Sequence, residues 1–479
     1  MTSAQVTSPF DIKIYKNNDA PKGCRILDYI PMRDGQIIRV NQTKKDRLEF
    51  ELFDADNKLI RTNESESLIP EKSRYKSSVL LNNRIYLIFS GAIGSDPTKD
   101  AFAYWELFPG DLAMKGEMKV FFETTKTSSG LGSAMPVFRL VTSSDKNHVM
   151  IVYRFSDLGT PAIADVFDSD WNKKWSYELT TSNFMTIGIT NDGKVFAEDG
   201  TPATENFYSN GNRSPLVVKV ADPGSSFFPK GCTVVEGNGE LYIVGVYART
   251  AQHFPRGFYA LKLDDRLNPE NTFRSDLPEN ILSDSVFVYD QQNAVYKSLV
   301  LKFACVTSDG HIKLAAEQNY EIKYLVTYSN SNSPSENSEK YFGDLVSASI
   351  SADGTPEWVV QTPKLRKTRA SNSLLGNALA RNDAAFYCFE FNNTLNFLFD
   401  SKCEENDQTK KDDKKKEDDE NKCVSFSRID SKGIQKKYTL AEHSAIGGGL
   451  SVKNIASAEP SAFIYNKQDY LVKVKVKNP

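Results

Sequence analysis

Along nearly the whole chain, short runs alternate apolar and polar residues with a period of two, and Asn, Asp and Gly punctuate them. That period puts successive side chains on opposite faces of a strand, so it predicts β-structure. Sustained helical periodicity is almost missing. Two kinds of hairpin recur. In the first, a strand, a tight polar turn and a more apolar strand follow one another: VLLNNRIYLIF (79–89), IGITNDGKVFA (187–197), TVVEGNGELYIVGVY (233–247), ACVTSDGHIKLAAE (304–317) and YCFEFNNTLNFLF (387–399). Their Asn-Asp-Gly, Gly-Asn-Gly and Ser-Asp-Gly turns suit hairpins because these residues tolerate positive φ.

The second hairpin joins an alternating strand, an Asp-containing turn and a polar outer strand. LEFELFDADNKLI (48–60), IADVFDSDWNKKWSYEL (163–179), FYALKLDDRLNPENTF (258–273), LVSASISADGTPEWVV (345–360) and VSFSRIDSKGIQKKYTL (424–440) have this form, and 103–122 and 216–228 are looser versions. The two kinds alternate, so each pair makes a four-stranded antiparallel meander. Such units repeating about an axis make a β-propeller. The expectation is a single all-β propeller over residues 9–479, with eight blades favoured over seven, following a disordered N-terminus at 1–8. A sandwich would not need the same inner-then-outer order repeated so often. FDIKIYK (10–16) is a lone strand, and SAFIYNKQDYLVKVKVK (461–477) supplies strands without an outer partner. Their pairing would close the ring and hide an exposed edge.

SKCEENDQTKKDDKKKEDDENKCVSF (401–426) interrupts the seventh unit between its two middle strands. Its stretch 404–422 carries nine carboxylates and six lysines with nothing apolar to bury, so it reads as a disordered insertion. Cys403 and Cys423 flank it at what look like matching positions of a hairpin mouth, where a disulfide could staple the loop. The competing reading is two reduced thiols in a cytosolic protein. Cys232, Cys305 and Cys388 lie in apolar runs and read as buried thiols, and none of the six cysteines forms a C-x-x-C pair.

Composition narrows the partners. The chain has 479 residues, 40% hydrophobic and 25% charged, with 59 basic and 62 acidic side chains. That balance makes no electrostatic case for nucleic acid. No apolar run is long enough for a membrane-spanning helix. MTSAQVTSPF lacks a basic start and an apolar core, so it is either an ordinary N-terminus or the stub of a cleaved signal.

Catalytic signatures are scarce. The four histidines, His148, His253, His311 and His443, fall in no metal-binding spacing. There is no nucleophile elbow, P-loop or dinucleotide fingerprint. FDADNK and FDSDWNK resemble calcium loops only faintly and read as Asx turns. No cofactor and no metal site are expected. Glu317, in KLAAEQ, is the one acid whose apolar setting draws attention as a hydrolase candidate; a structural acid bonded to a neighbouring blade's backbone competes with it. Trp171, Trp175 and Trp358 recur in outer hairpins, as residues packing between blades would. The binding candidates are loop residues: Phe254, Arg256 and Phe258 in QHFPRGFY, and Tyr341 and Phe342 in SPSENSEKYFGDL. Loop aromatics beside arginine make contact patches, and their competing reading is packing onto their own blade.

SDGHIKLAAEQ followed by YFGDLVSASISADGTPEWVVQTPKLRK resembles exported β-propeller-like proteins widespread in Bacteroidota, of flavobacterial type. FDSDWNKKWSYEL and GELYIVGVYARTAQHFPRGFYALKL are similar to that group as well. The resemblance implies a secreted, periplasmic or cell-surface setting and supplies no functional residues. The missing full signal peptide departs from the group, and a native N-terminus would place the chain in the cytoplasm. The expected function is non-enzymatic: a scaffold or envelope-complex subunit binding another protein. Glycan or ligand binding, or a glycoside-type hydrolase with acids in a central funnel, are the alternatives.

Overall fold

Successive hairpins pair into eight separate sheets in a computed structural model of the chain. The structure describes all residues except 1–9, 17–23, 33–34, 45, 57, 66–68, 71–72, 94–98, 126–136, 155–160, 180–186, 199–203, 209–214, 221–226, 251–253, 284–292, 327–334, 365, 369–385, 403–421, 443–454, 460–461, 468–469 and 477–479. The N-terminal stretch and nearly all of the charged insertion fall outside the described residues.

Seven sheets take four successive strands in chain order, the eighth joins the first strand of the chain to the last three, and all pairings are antiparallel. Sheet 1 comprises Arg25–Pro31, Ile37–Lys44, Arg47–Phe53 and Leu59–Glu64; sheet 2, Ser73–Leu81, Arg84–Gly91, Lys99–Phe108 and Ala113–Thr125. Sheet 3 has Val137–Thr142, His148–Arg154, Ala162–Asp168 and Lys173–Leu179; sheet 4, Ile187–Ile189, Val195–Glu198, Thr204–Tyr208 and Leu216–Lys219. Sheet 5 has Phe228–Gly237, Glu240–Ala248, Gly257–Leu263 and Pro269–Asp276, and the helix Glu279–Ser283 follows it. Sheet 6 has Asn293–Val306, Ile312–Val326, Ser335–Ile350 and Pro356–Thr362, with a fifth short strand, Arg366–Thr368, beside its third. Sheet 7 has Phe386–Phe391, Thr394–Lys402, Lys422–Ile429 and Gln435–Glu442. Sheet 8 joins the chain ends: Ile455–Glu459, Ala462–Lys467 and Tyr470–Val476, with Phe10–Lys16 as its fourth strand. The N-terminal strand pairs with the C-terminal one from Phe10↔Val476 to Lys16↔Tyr470.

The turns explain the hairpins. Asn82–Asn83, Asn238–Gly239 and Asn392–Asn393 all have positive φ, between 42° and 77°. Two consecutive left-handed residues make the tight turn whose twist matches that of paired strands, and Asn and Gly adopt it most easily. Outer hairpins use a different device. The Asp54, Asp168, Asp264 and Asp430 carboxylates each accept backbone N–H groups two and four residues on, at 2.7–3.0 Å. These are Asx turns, so FDADNK and FDSDWNK are structural.

Apolar clusters lie between sheets. Ile38, Val40, Leu48 and Phe50 of sheet 1 meet Ile85, Leu87, Phe89 and Ala103 of sheet 2. Tyr86 and Ile88 meet Val149, Ile151 and Trp171 across sheets 2 and 3. Similar clusters join sheets 3 to 4, 4 to 5, 5 to 6 and 6 to 7. Middle strands are therefore buried on both faces, each fully buried large side chain contributing about 1.5–3 kcal/mol. First strands sit beside first strands at the 8–1, 1–2, 3–4, 4–5, 5–6 and 6–7 junctions. The architecture is a β-propeller-type repeat of blades. Tryptophans pack between blades as expected: the Trp171 ring stacks 4.5 Å from that of Tyr104, and Trp358 Nε1 donates to the Ser431 carbonyl at 3.1 Å.

One expectation needs correction. Tyr341 and Phe342 are not in a loop; they lie within the 16-residue third strand of sheet 6, registered with Tyr320 and Asn319. The polar run SPSENSEK hid a strand whose pairing is imposed by its neighbour. Cys423 is registered with Ser401, and Cys403, its expected partner, lies outside the described residues.

Candidate functional site

The turns between first and second strands form one rim, and hydrogen bonds run along it. Ser144 Oγ and the Asp145 N–H donate to Asn191 Oδ1 at 2.8 and 3.0 Å, linking sheets 3 and 4. The Asn191 N–H donates to Glu236 Oε2 at 2.7 Å, reaching sheet 5. Asn238 Nδ2 donates to the Thr307 and Ser308 carbonyls of sheet 6, and Asn393 Nδ2 of sheet 7 donates to Asp309 Oδ2 at 2.6 Å. Within the rim, Ser143, Thr190 and Thr307 each hydrogen-bond an Asp two residues on. Asp145, Asp192 and Asp309 are held below the usual carboxylate range: burial pushes each up, but the Ser143 hydroxyl and Asn147 outweigh it at Asp145, the Lys194 ammonium and then the Thr190 hydroxyl at Asp192, and the Thr307 hydroxyl and then His311 at Asp309.

Below this rim the first strands of sheets 3, 4, 5 and 6 line an open cavity of about 490 Å³. Its walls include Arg139 and Val141 of sheet 3, Ile187 and Ile189 of sheet 4, Thr233 and Val235 of sheet 5, and Ala304 and Val306 of sheet 6. Lys146, Ser143, Ser144 and Glu236 stand at the turn side. Gly188 lets the Phe196 ring cross the strand, since a Cβ there would lie 2.0 Å from the ring. Burial lowers the Arg139 pKa. Lys146, though its side chain is exposed at the mouth, is crowded by the surrounding walls, which lowers its pKa against the opposing pull of Asp145.

Sheet 6 holds two further polar clusters on the side facing sheet 7. At the turn end Lys313, 1% exposed, donates to Ser349 Oγ at 2.7 Å and lies 4.9 Å over the Trp358 ring. Glu357 Oε2 accepts from Ser349 Oγ and lies 3.0 Å from His311 Nδ1. Burial lowers the Lys313 pKa, whereas Glu357 is held low because these hydrogen bonds outweigh its burial. At the other end Glu317 Oε1 is bonded by Lys364 Nζ, both buried, with Lys302 at 3.9 Å on the open side. Asp344 sets Lys364 in place by accepting its backbone N–H at 2.9 Å and the Gln361 amide at 2.7 Å. Glu317 thus has the setting of a structural acid, bonded to a lysine of its own sheet rather than to a neighbouring blade's backbone. Ser349 is fully buried.

The predicted binding residues part company. Phe258 is fully buried, in the apolar cluster between sheets 5 and 6, so it offers no contact surface. Phe254 packs partly buried against that cluster. Arg256 is half-buried, its Nε 3.5 Å from Asp276. Tyr341 and Phe342 lie on the long third strand of sheet 6. Sequence reasoning missed Arg139 and Lys146, whose only signal is a cation at each end of RLVTSSDK, a strand-and-turn segment.

No family model matches the chain, and no curated protein matches it. Among solved structures it is similar to a prolyl endopeptidase at 10% identity and a TM-score of 0.31, covering 77% of this chain and 50% of that one. The chain thus spans about half the length of that enzyme. It is similar to the β-propeller domain of the trilobed protease from Pyrococcus furiosus, described as having an open velcro topology, at 11% identity, a TM-score of 0.32, and 73% and 96% coverage. The Dos1 propeller gives 8% identity, a TM-score of 0.35, and 80% and 90% coverage.

Proposed function

We propose that the chain is an eight-bladed propeller, closed by packing of sheet 7 on sheet 8, that serves as a non-enzymatic scaffold binding another protein. The observation that carries this reading is the length of sheet 6. Its first three strands run 14, 15 and 16 residues, whereas the fourth has seven. The second strand stays paired to both neighbours as far as Tyr324, with partners Asn293 and Asn337. A three-stranded arm therefore extends beyond the blade, with Tyr341 and Phe342 near its base. Along 335–339 the third strand has no fourth-strand partner among the described residues. Strand edges of this kind accept an added strand from another chain.

Affinity capture from native cells tests the reading. The probes are the intact chain and a variant in which Lys323 to Ser338, a registered pair, are joined by Asn-Gly. A stoichiometric partner held by the intact chain and lost from the shortened one, with an unchanged melt, is the expected result. No stoichiometric partner, or equal capture by both, would overturn it.

The same reading places the chain in an oxidising secreted, periplasmic or surface compartment, with Cys403 and Cys423 stapling the charged insertion. Denaturing, non-reducing thiol titration should then count only Cys24, Cys232, Cys305 and Cys388, which carry free thiols. Six free thiols would remove the staple.

A further inference from the structure

We propose that the cavity inside the first strands of sheets 3 to 6 is a binding site for a small ligand bearing an oxyanion, a phosphate or a carboxylate, seated between Arg139 and Lys146. The walls are contributed by four different sheets, so the space is built by the assembly of blades and not by one loop. At about 490 Å³ it has the size of a small-molecule pocket. Arg139 is half-buried in the wall and Lys146 stands exposed at the mouth, and both line the space. An anion entering it would meet both cations, and hydrogen bonds between ionised groups are the strong ones. Arginine offers a planar fork for an oxyanion, and Lys146, already donating to Thr142 Oγ1 at 3.1 Å, adds a point charge at the mouth.

Glu236 faces the same space, and its Oε2 is held by the Asn191 N–H at 2.7 Å. It opposes a second negative group near the turn side and favours a ligand with hydroxyl or ammonium donors there. The selected chemistry is one oxyanion on a polar body. This inference does not depend on the protein-binding role of sheet 6, because the cavity and the arm are separate.

Isothermal titration of the full chain with inorganic phosphate and with glucuronate, at constant ionic strength, tests it. Saturable one-to-one binding by at least one probe is expected, with Arg139→Met and Lys146→Met each weakening it roughly tenfold or more. Arg139→Lys should fall between wild type and Arg139→Met. Tighter binding of phosphate identifies a phosphorylated ligand, and tighter binding of glucuronate identifies a carboxylated one. Lys146 lies on an exposed turn, so its variant keeps the test sound even if Arg139→Met unfolds. No saturable heat with either probe up to about 10 mM would overturn the proposal. So would binding that Lys146→Met leaves unchanged.

Discussion

The second strand of sheet 6 has two faces that are buried in opposite ways. Ile312, Leu314 and Ala316 point toward sheet 5 and join Val244, Val246, Phe258 and Val346 in a wholly apolar cluster. Lys313, Ala315 and Glu317 point toward sheet 7, where only Ala315 joins an apolar cluster, with Phe397 and Phe399. The charged residues on either side are buried to 1% and 2% exposure. Sheet 1 divides the same way. Ile38 and Val40 enter the cluster with sheet 2, while Arg39 Nε bonds Glu51 Oε2 at 2.6 Å on the opposite face, where Asn41 also donates to Glu51. An apolar face holds blades together without fixing how they slide. A buried ion pair contributes little net stability but penalises any arrangement that separates its partners.

The largest test separates these two kinds of burial. Lys364→Met leaves Glu317 charged and buried, which should cost about 3–5 kcal/mol, read as a fall in the urea midpoint at pH 7. Adding Glu317→Met should restore most of that loss, because two methionines fill the space beside the Phe386 ring, 5.2 Å from Lys364 Nζ, without an orphan charge. A double variant no more stable than Lys364→Met would show that the pair itself, not the stranded carboxylate, sets the energy.

Half of this contrast is legible in the sequence. HIKLAAEQ alternates plainly, so the strand and the unusual position of Glu317 can be read from it. Its partner cannot: Lys364 lies 47 residues away, beyond a turn and two strands. Only the register of three strands and the Asp344 clamp bring it back. Phe258 fails for a related reason. FYALKL alternates like a strand with one wet face, yet Phe258 and Tyr259 are both fully buried, because a blade between two others has no wet face along its middle strands. Arg139 is hidden in the same way, since the cavity it lines exists only once four sheets have met.

The apolar face is probed by Leu314→Ala. Leu314 is fully buried, and emptying its site should cost about 3 kcal/mol. This loss involves no titrating group, so it should be the same at pH 7 and pH 4. A cost that shrinks with acid would mean the two faces are coupled and would break the comparison.

The smallest effect concerns the aspartates that lock the turns. Asp168 is pushed up by burial but held below its ordinary 3.8 by donors from Asn172, Lys174 and Asp170. A carboxylate whose folded pKa lies below its unfolded value adds stability that is fully present above the unfolded value. That stability is lost as the pH falls through the folded one. Asp168→Asn should therefore lower stability by about 1 kcal/mol at pH 7, and the gap from wild type should narrow from pH 4 downward. Urea midpoints at pH 7, 4 and 3 read it directly. Because Asn keeps the turn geometry but not the charge, the absence of any gap at pH 7 would mean that shape, and not the carboxylate's charge, locks the turn. The electrostatic side of the contrast would then rest on the sheet 6 pairs alone.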